Sequence, residues 1–156
     1  YRANPARAAA IRDALEEVAF RSVIPEVKRA AITRMVSGFH HTIPEQMADD
    51  PDTRPLALRL ERIYHATTDE VIRRAVLSNC GVLGGSGRSH ALTWLEPLIV
   101  QETGAQAFPA EALEAMRTAA GLGRAGQALV VRLRDRGRIR DDEARFWSGF
   151  ITVGGQ

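Results

Sequence analysis

Apolar residues recur every three or four positions along most of this chain, and the two-residue alternation of a half-buried strand is weak throughout. The stretch "NPARAAAIRDALEEVAFRS" predicts a first helix, with Asn4 as N-cap, Pro5 at the first helical position, and Ile11, Leu15 and Val18 along one stripe. A second helix runs from Pro25 through "EVKRAAITRMVSGFHH". Its apolar face is Val27, Ala31, Ile32, Met35, Val36 and Phe39, and it ends near Pro44, because the residue before a proline avoids the helical region. After the polar break "MADDPDTRP", Leu56, Leu60, Ile63 and Tyr64 mark a third.

Thr67 and Glu70 have capping-box spacing ahead of "VIRRAVLSNC", and Gly81 closes that helix. "GVLGGSG", Gly81 to Gly87, is the longest glycine-rich break. The next helix is expected from about Ser89, with Leu92, Leu95, Leu98 and Ile99 on one face and Pro97 kinking or ending it. Shorter helices follow from Pro109 and across "RAGQALVVRLRDR", which Gly137 stops, and "DDEARFWSGF" is the last. The pattern predicts an all-α fold: an irregular or orthogonal bundle of seven to eight short helices, forming one domain over residues 1–156. No internal repeat or low-complexity tract stands out.

Composition agrees with that picture. Apolar residues make up 45% and charged residues 26%, which are globular proportions, and with aromatics at only 6% the core must rest on Leu, Ile, Val and Ala. No apolar run approaches the roughly 20 residues that span a bilayer. The N-terminal stretch carries charge where a signal peptide is apolar. One cysteine, Cys80, excludes an internal disulfide framework and suits a reducing compartment, so a bacterial cytoplasmic protein is expected. The chain opens on Tyr1 rather than Met, as a domain excised from a longer chain would.

The most pointed local feature is "VRLRDRGRIR", where Arg132, Arg134, Arg136, Arg138 and Arg140 alternate. In a strand these five would share a face; in a helix, alternate residues lie about 200° apart and scatter around the axis. Leu129 and Leu133 are spaced i, i+4, so a helix to about residue 136 is expected, with Arg138 to Arg140 in the turn and Asp141 capping the next helix. Cations ending one helix and Asp141, Asp142 and Glu143 starting the next complement both dipoles, at about 0.3–1 kcal/mol each. Those carboxylates also argue against a helix-turn-helix reader, whose second helix would bring them against phosphates.

Charge is nonetheless polarised. Residues 1–116 hold 13 Lys and Arg against 15 Asp and Glu, whereas residues 117–156 hold 8 against 4. Such asymmetry is shared by basic binding modules. The expected function is therefore a non-enzymatic regulatory or adaptor domain without cofactor. Its expected partner is nucleic acid or an acidic protein surface, bound through the five arginines of the C-terminal hairpin together with Trp147.

The glycine segment is not a phosphate loop. Counting back from Gly87, the first P-loop glycine would fall on Val82, and the lysine is replaced by Arg88. What remains is a loop feeding a helix N-terminus, which makes Arg88, Ser89 and His90 a secondary anion-site candidate. Neither His40, His41, His65 and His90 nor Cys80 shows metal-ligand spacing, so no metal is expected.

An alternative function rests on a resemblance. In size and helix content the chain resembles helical ribonucleases of the HEPN type, whose active site carries an Arg four to six residues before a His. "RMVSGFH", Arg34 to His40, and "RLERIYH", Arg59 to His65, fit that spacing. The resemblance implies metal-independent phosphate chemistry, with Arg stabilising charge and His moving a proton. The polar residue expected after each Arg is absent, since Met35 and Leu60 stand there.

Overall fold

The computed structural model describes residues 5–40, 53–100 and 109–142. Seven α-helices lie among the described residues: α1 (Pro5–Arg21), α2 (Pro25–His40), α3 (Arg54–Ala66), α4 (Glu70–Asn79), α5 (Gly85–Ile99), α6 (Ala110–Gly121) and α7 (Gly123–Asp135). No strand occurs among them. The all-α bundle expected from periodicity is what forms.

The helices pack in a regular order. Each pairs with its hairpin neighbour, α1 with α2, α3 with α4, and α5 with α6. Helices two apart also stack, so α1, α3 and α5 form one row while α2, α4 and α6 form another. Two stacked rows of helical hairpins are the architecture of an α-solenoid. A repeat accompanies it: the pattern Glu-Val-x-Arg-x-Ala followed by Ile or Val opens α2 at Glu26 and α4 at Glu70. Ile32 and Val76, equivalent in this pattern, are both fully buried. A seven-residue repeat between dissimilar flanks is too faint to notice until the two helices are seen side by side.

The core is aliphatic. Leu56, Leu60, Ile63, Ile72, Leu77, Leu95, Ile99 and Met116 are buried along the contact between the rows. Alanines let α6 approach closely: Ala112, Ala115, Ala119 and Ala120 are buried, and Thr118 Oγ1 donates to the Leu77 carbonyl of α4 at 3.0 Å.

Four expectations are corrected. Ile11 and Val18 of α1, and Val27 of α2, are exposed rather than core-facing. The face that α1 buries carries Ala19 and Glu16, the latter only 8% exposed. Arg59 of α3 pairs with both Glu16 and Asp13, and Arg62 adds a 2.7 Å contact to Glu16. A buried carboxylate needs such partners, and two arginines one turn apart on α3 supply them.

The cap of α4 also differs. Asp69, not Thr67, is the N-cap, its carboxylate accepting from Val71 N at 2.9 Å and Ile72 N at 3.2 Å. Thr67 Oγ1 instead accepts from Asp69 N, which orients the cap. Asp69→Ala is expected to cost about 1 kcal/mol, readable as a shift of the urea midpoint.

The glycine-rich break is largely helical. Cys80–Val82 form a 3-10 turn, and α5 begins at Gly85, four residues before Ser89. The physical reason is close approach. A Cβ on Gly87 would stand 2.5 Å from the Thr53 carbonyl carbon, so only glycine lets α5 start against the start of α3. Thr53, almost wholly buried, ties that joint from the other side. Its hydroxyl donates to the Gly84 carbonyl at 2.5 Å, and its oxygen accepts from Gly84 N at 3.0 Å. Finally, α5 continues through Pro97 to Ile99.

Candidate macromolecule-binding groove

The five alternating arginines do not form a ribbon. Helix α7 carries Arg132 and Arg134, Arg136 is its C-cap, and Gly137 takes the left-handed conformation with φ of 64°. Gly137 N donates to Arg134 O and Arg138 N to Leu133 O, both at 2.8 Å, which is the Schellman closure that a C-terminal glycine permits. Three of the five face carboxylates of the same molecule. Arg132 reaches Glu96 of α5 at 3.1 Å, Arg134 contacts Asp135 at 2.9 Å and Asp141 at 3.7 Å, and Arg140 lies 3.7 Å from Asp142. Arg136 and Arg138 are exposed, one at the C-cap of α7 and the other in the turn beyond it. Trp147 lies outside the described residues.

Arg88, Ser89 and His90 sit inside α5, past its first amides, and do not converge. Arg88 Nε donates to the Leu83 carbonyl at 3.4 Å, Ser89 Oγ to Gly85 O at 3.5 Å, and His90 Nε2 lies 2.7 Å from Glu61 Oε2 on α3. The HEPN-like pairs are likewise not assembled. Arg59 is held by Asp13 and Glu16, while the His65 ring packs edge-on against Tyr64 at 5.2 Å. The side chain of His40 lies outside the described residues. No group of three or more His, Cys, Asp or Glu among the described residues could hold a metal ion.

Cys80 is fully buried at the end of α4, and burial, with Glu61 nearby, pushes its thiol well above the ordinary range. A thiol-specific reagent is expected to leave it unmodified in the native state and to label it completely in denaturant. Tyr64 is raised too, by burial first and then by its hydrogen bond to Glu111. Arg73 lies 5.0 Å over its ring and donates to the Thr67 carbonyl at 2.8 Å, which fixes the α3–α4 connection against α6.

On a different surface, several cations have no partner among the described residues. The outward faces of α2 and α4 enclose an open groove of about 870 Å³. From α2 come Glu26, Arg29, Ala30, Thr33, Arg34 and Ser37, all on one helical stripe. Helix α4 adds Val71, Arg74, Ala75, Ser78 and Asn79, and α6 adds Glu114. Alanine, serine and threonine make a shallow floor. Ser37, Ser78 and Asn79 turn their polar groups onto the backbone of their own helices, at 2.7–3.1 Å.

Among the described residues, no acceptor engages the guanidinium groups of Arg29, Arg34 and Arg74. Sequence reasoning missed them for a definite reason. Arg29 has Glu26 three residues before it and Arg74 has Glu70 four before it, spacings at which helix ion pairs form. Neither pair is made, and only the stacking of α2 on α4 brings the three cations to one groove.

Comparison with protein-family models, curated proteins and solved structures found no match for this chain. No helix among the described residues is long and apolar enough to cross a membrane.

Proposed function

We propose that this chain is a non-enzymatic adaptor domain that binds an acidic segment of a partner protein along the α2–α4 groove. One observation carries the proposal: Arg29, Arg34 and Arg74 surround an open groove with no neutralising partner among the described residues. Stacked hairpins present extended surfaces of this type to partners.

The lining favours protein over nucleic acid. Glu26 and Glu114 share the groove with the arginines, and carboxylates would repel a phosphate backbone laid along it. Among the described residues no aromatic side chain lines it, so they offer unpaired bases no stacking platform. An acidic segment with an occasional basic residue uses both signs. Arg136 and Arg138 lie outside this groove and serve as an accessory cationic site at the C-terminal turn. A single buried thiol suits a reducing compartment such as the cytoplasm.

The test is fluorescence anisotropy with a labelled Asp/Glu-rich peptide, beside labelled DNA and RNA, at several salt concentrations. Binding of the peptide, lost in Arg29→Ala/Arg34→Ala/Arg74→Ala and kept when the five C-terminal arginines become alanine, is the expected result. Peptide that stays free at low salt overturns the proposal. So does DNA or RNA binding that only the C-terminal variant loses, which would move the function to nucleic acid and to "VRLRDRGRIR".

A further inference from the structure

Exposed apolar side chains are not spread evenly over the domain. Ten large ones are exposed among the described residues, and six belong to the first hairpin: Ile11, Val18, Phe20, Val23, Ile24 and Val27. Four of these fall within eight residues around the α1–α2 turn, where Val23 is 92% and Ile24 51% exposed. The turn itself is well made. Ser22 N closes the last turn of α1 on Val18 O at 3.0 Å, and Ser22 Oγ accepts from Ile24 N at 3.2 Å. A hydrogen-bonded corner therefore holds its apolar side chains in water.

Apart from Glu26, which also lines the groove, the charges around this corner differ from those of the groove. Val27 lies on α2 between Glu26 and Lys28, one acidic and one basic, and neither makes an ion pair among the described residues. At the end of α1, Glu17 and Arg21 pair with each other at 2.5 Å. The corner is thus apolar with balanced flanks. A contact related by two-fold symmetry sets a patch against itself, so the patch must carry both signs for its charges to meet opposites.

We propose that the α1–α2 corner is a self-association surface whose occupant is the same corner of a second copy of this chain. Val23, Ile24, Phe20 and Val27 make the apolar centre, and Glu26 of each copy faces Lys28 of the other. The groove cations Arg29, Arg34 and Arg74 take no part, and Glu26 is the one groove residue that the two surfaces share.

Sedimentation velocity over a hundredfold range of protein concentration tests it. The expected result is a shift from monomer to dimer mass, absent from Val23→Asp/Ile24→Asp at every concentration. Both side chains are exposed, so circular dichroism and melting temperature should stay unchanged in that variant. Lys28→Glu is expected to weaken the dimer about tenfold, and adding Glu26→Lys to restore it, because the swap re-forms both cross-contacts. A wild-type chain that remains monomeric throughout overturns the proposal. A dimer that survives the aspartates does the same, as does growth beyond the dimer, since a closed two-fold contact cannot propagate.

Discussion

Gly126→Ala is expected to lower the stability of the domain by about 2–3 kcal/mol, although alanine is the better helix former. Gly126 is buried on α7, where it faces the preceding helix α6. A Cβ there would stand 2.7 Å from the Ala119 carbonyl carbon and closer still to its oxygen. The obstacle is backbone, which cannot rotate aside as a side chain would, so the two helices must separate and loosen the layer that buries Met116, Leu129 and Val130. A fall in melting temperature of about 5–10 °C follows for a chain of this size. Gly121→Ala is the internal control. It ends α6, the other helix of the pair, nothing stands within 4 Å of its Cβ position, and the helix gains up to about 1 kcal/mol. If the two variants melt together, the close approach of α6 and α7 is not what holds this hairpin.

The second large effect concerns binding. Replacing Arg29, Arg34 and Arg74 together is expected to weaken an acidic peptide about a hundredfold. Each exposed guanidinium contributes about 1 kcal/mol to a carboxylate contact, and every 1.4 kcal/mol is tenfold in affinity. Wild-type affinity should also fall with added salt, because screening shortens from about 10 Å at 0.1 M to 3 Å at 1 M. The melting temperature should not fall, since no acceptor among the described residues depends on these side chains. Reversing Glu114 to Lys should tighten the same peptide, as a cation then replaces the one carboxylate that α6 adds to the groove. A triple variant that binds like wild type while a C-terminal variant fails would place the contact at Arg136 and Arg138.

The two effects separate what stabilises the fold from what the surface offers a partner. Glycines at Gly87 and Gly126 occupy places where backbones meet, whereas the arginines of the groove are exposed. Ion pairs serve the fold elsewhere. Arg59 and Arg62 hold the buried Glu16 of α1 against α3, which leaves Ile11 and Val18 of the same helix in solvent. The first hairpin is therefore docked partly by charge, and its apolar side chains remain available to a second molecule.

Helix identity was determined by the sequence alone, because a 3.6-residue period is a local property that survives without knowledge of neighbours. The stop at Gly137 was legible for the same reason: the left-handed residue, its two closing hydrogen bonds and the helix it ends all lie within six positions. The partners of the alternating arginines were legible in part, since Asp135, Asp141 and Asp142 lie nearby in the chain, whereas Glu96 comes from α5. Everything that depends on two distant segments meeting was decided by the tertiary structure. "GVLGGSG" reads as a loop until Thr53 arrives to take up the space a side chain would need at Gly87. Ile11 and Val18 read as core until Arg59 and Arg62 claim the Glu16 face of α1. Arg29, Arg34 and Arg74 look like ordinary surface charges until α2 stacks on α4 and sets them around one groove, because charge without a partner is a property of the assembled surface and not of any single helix.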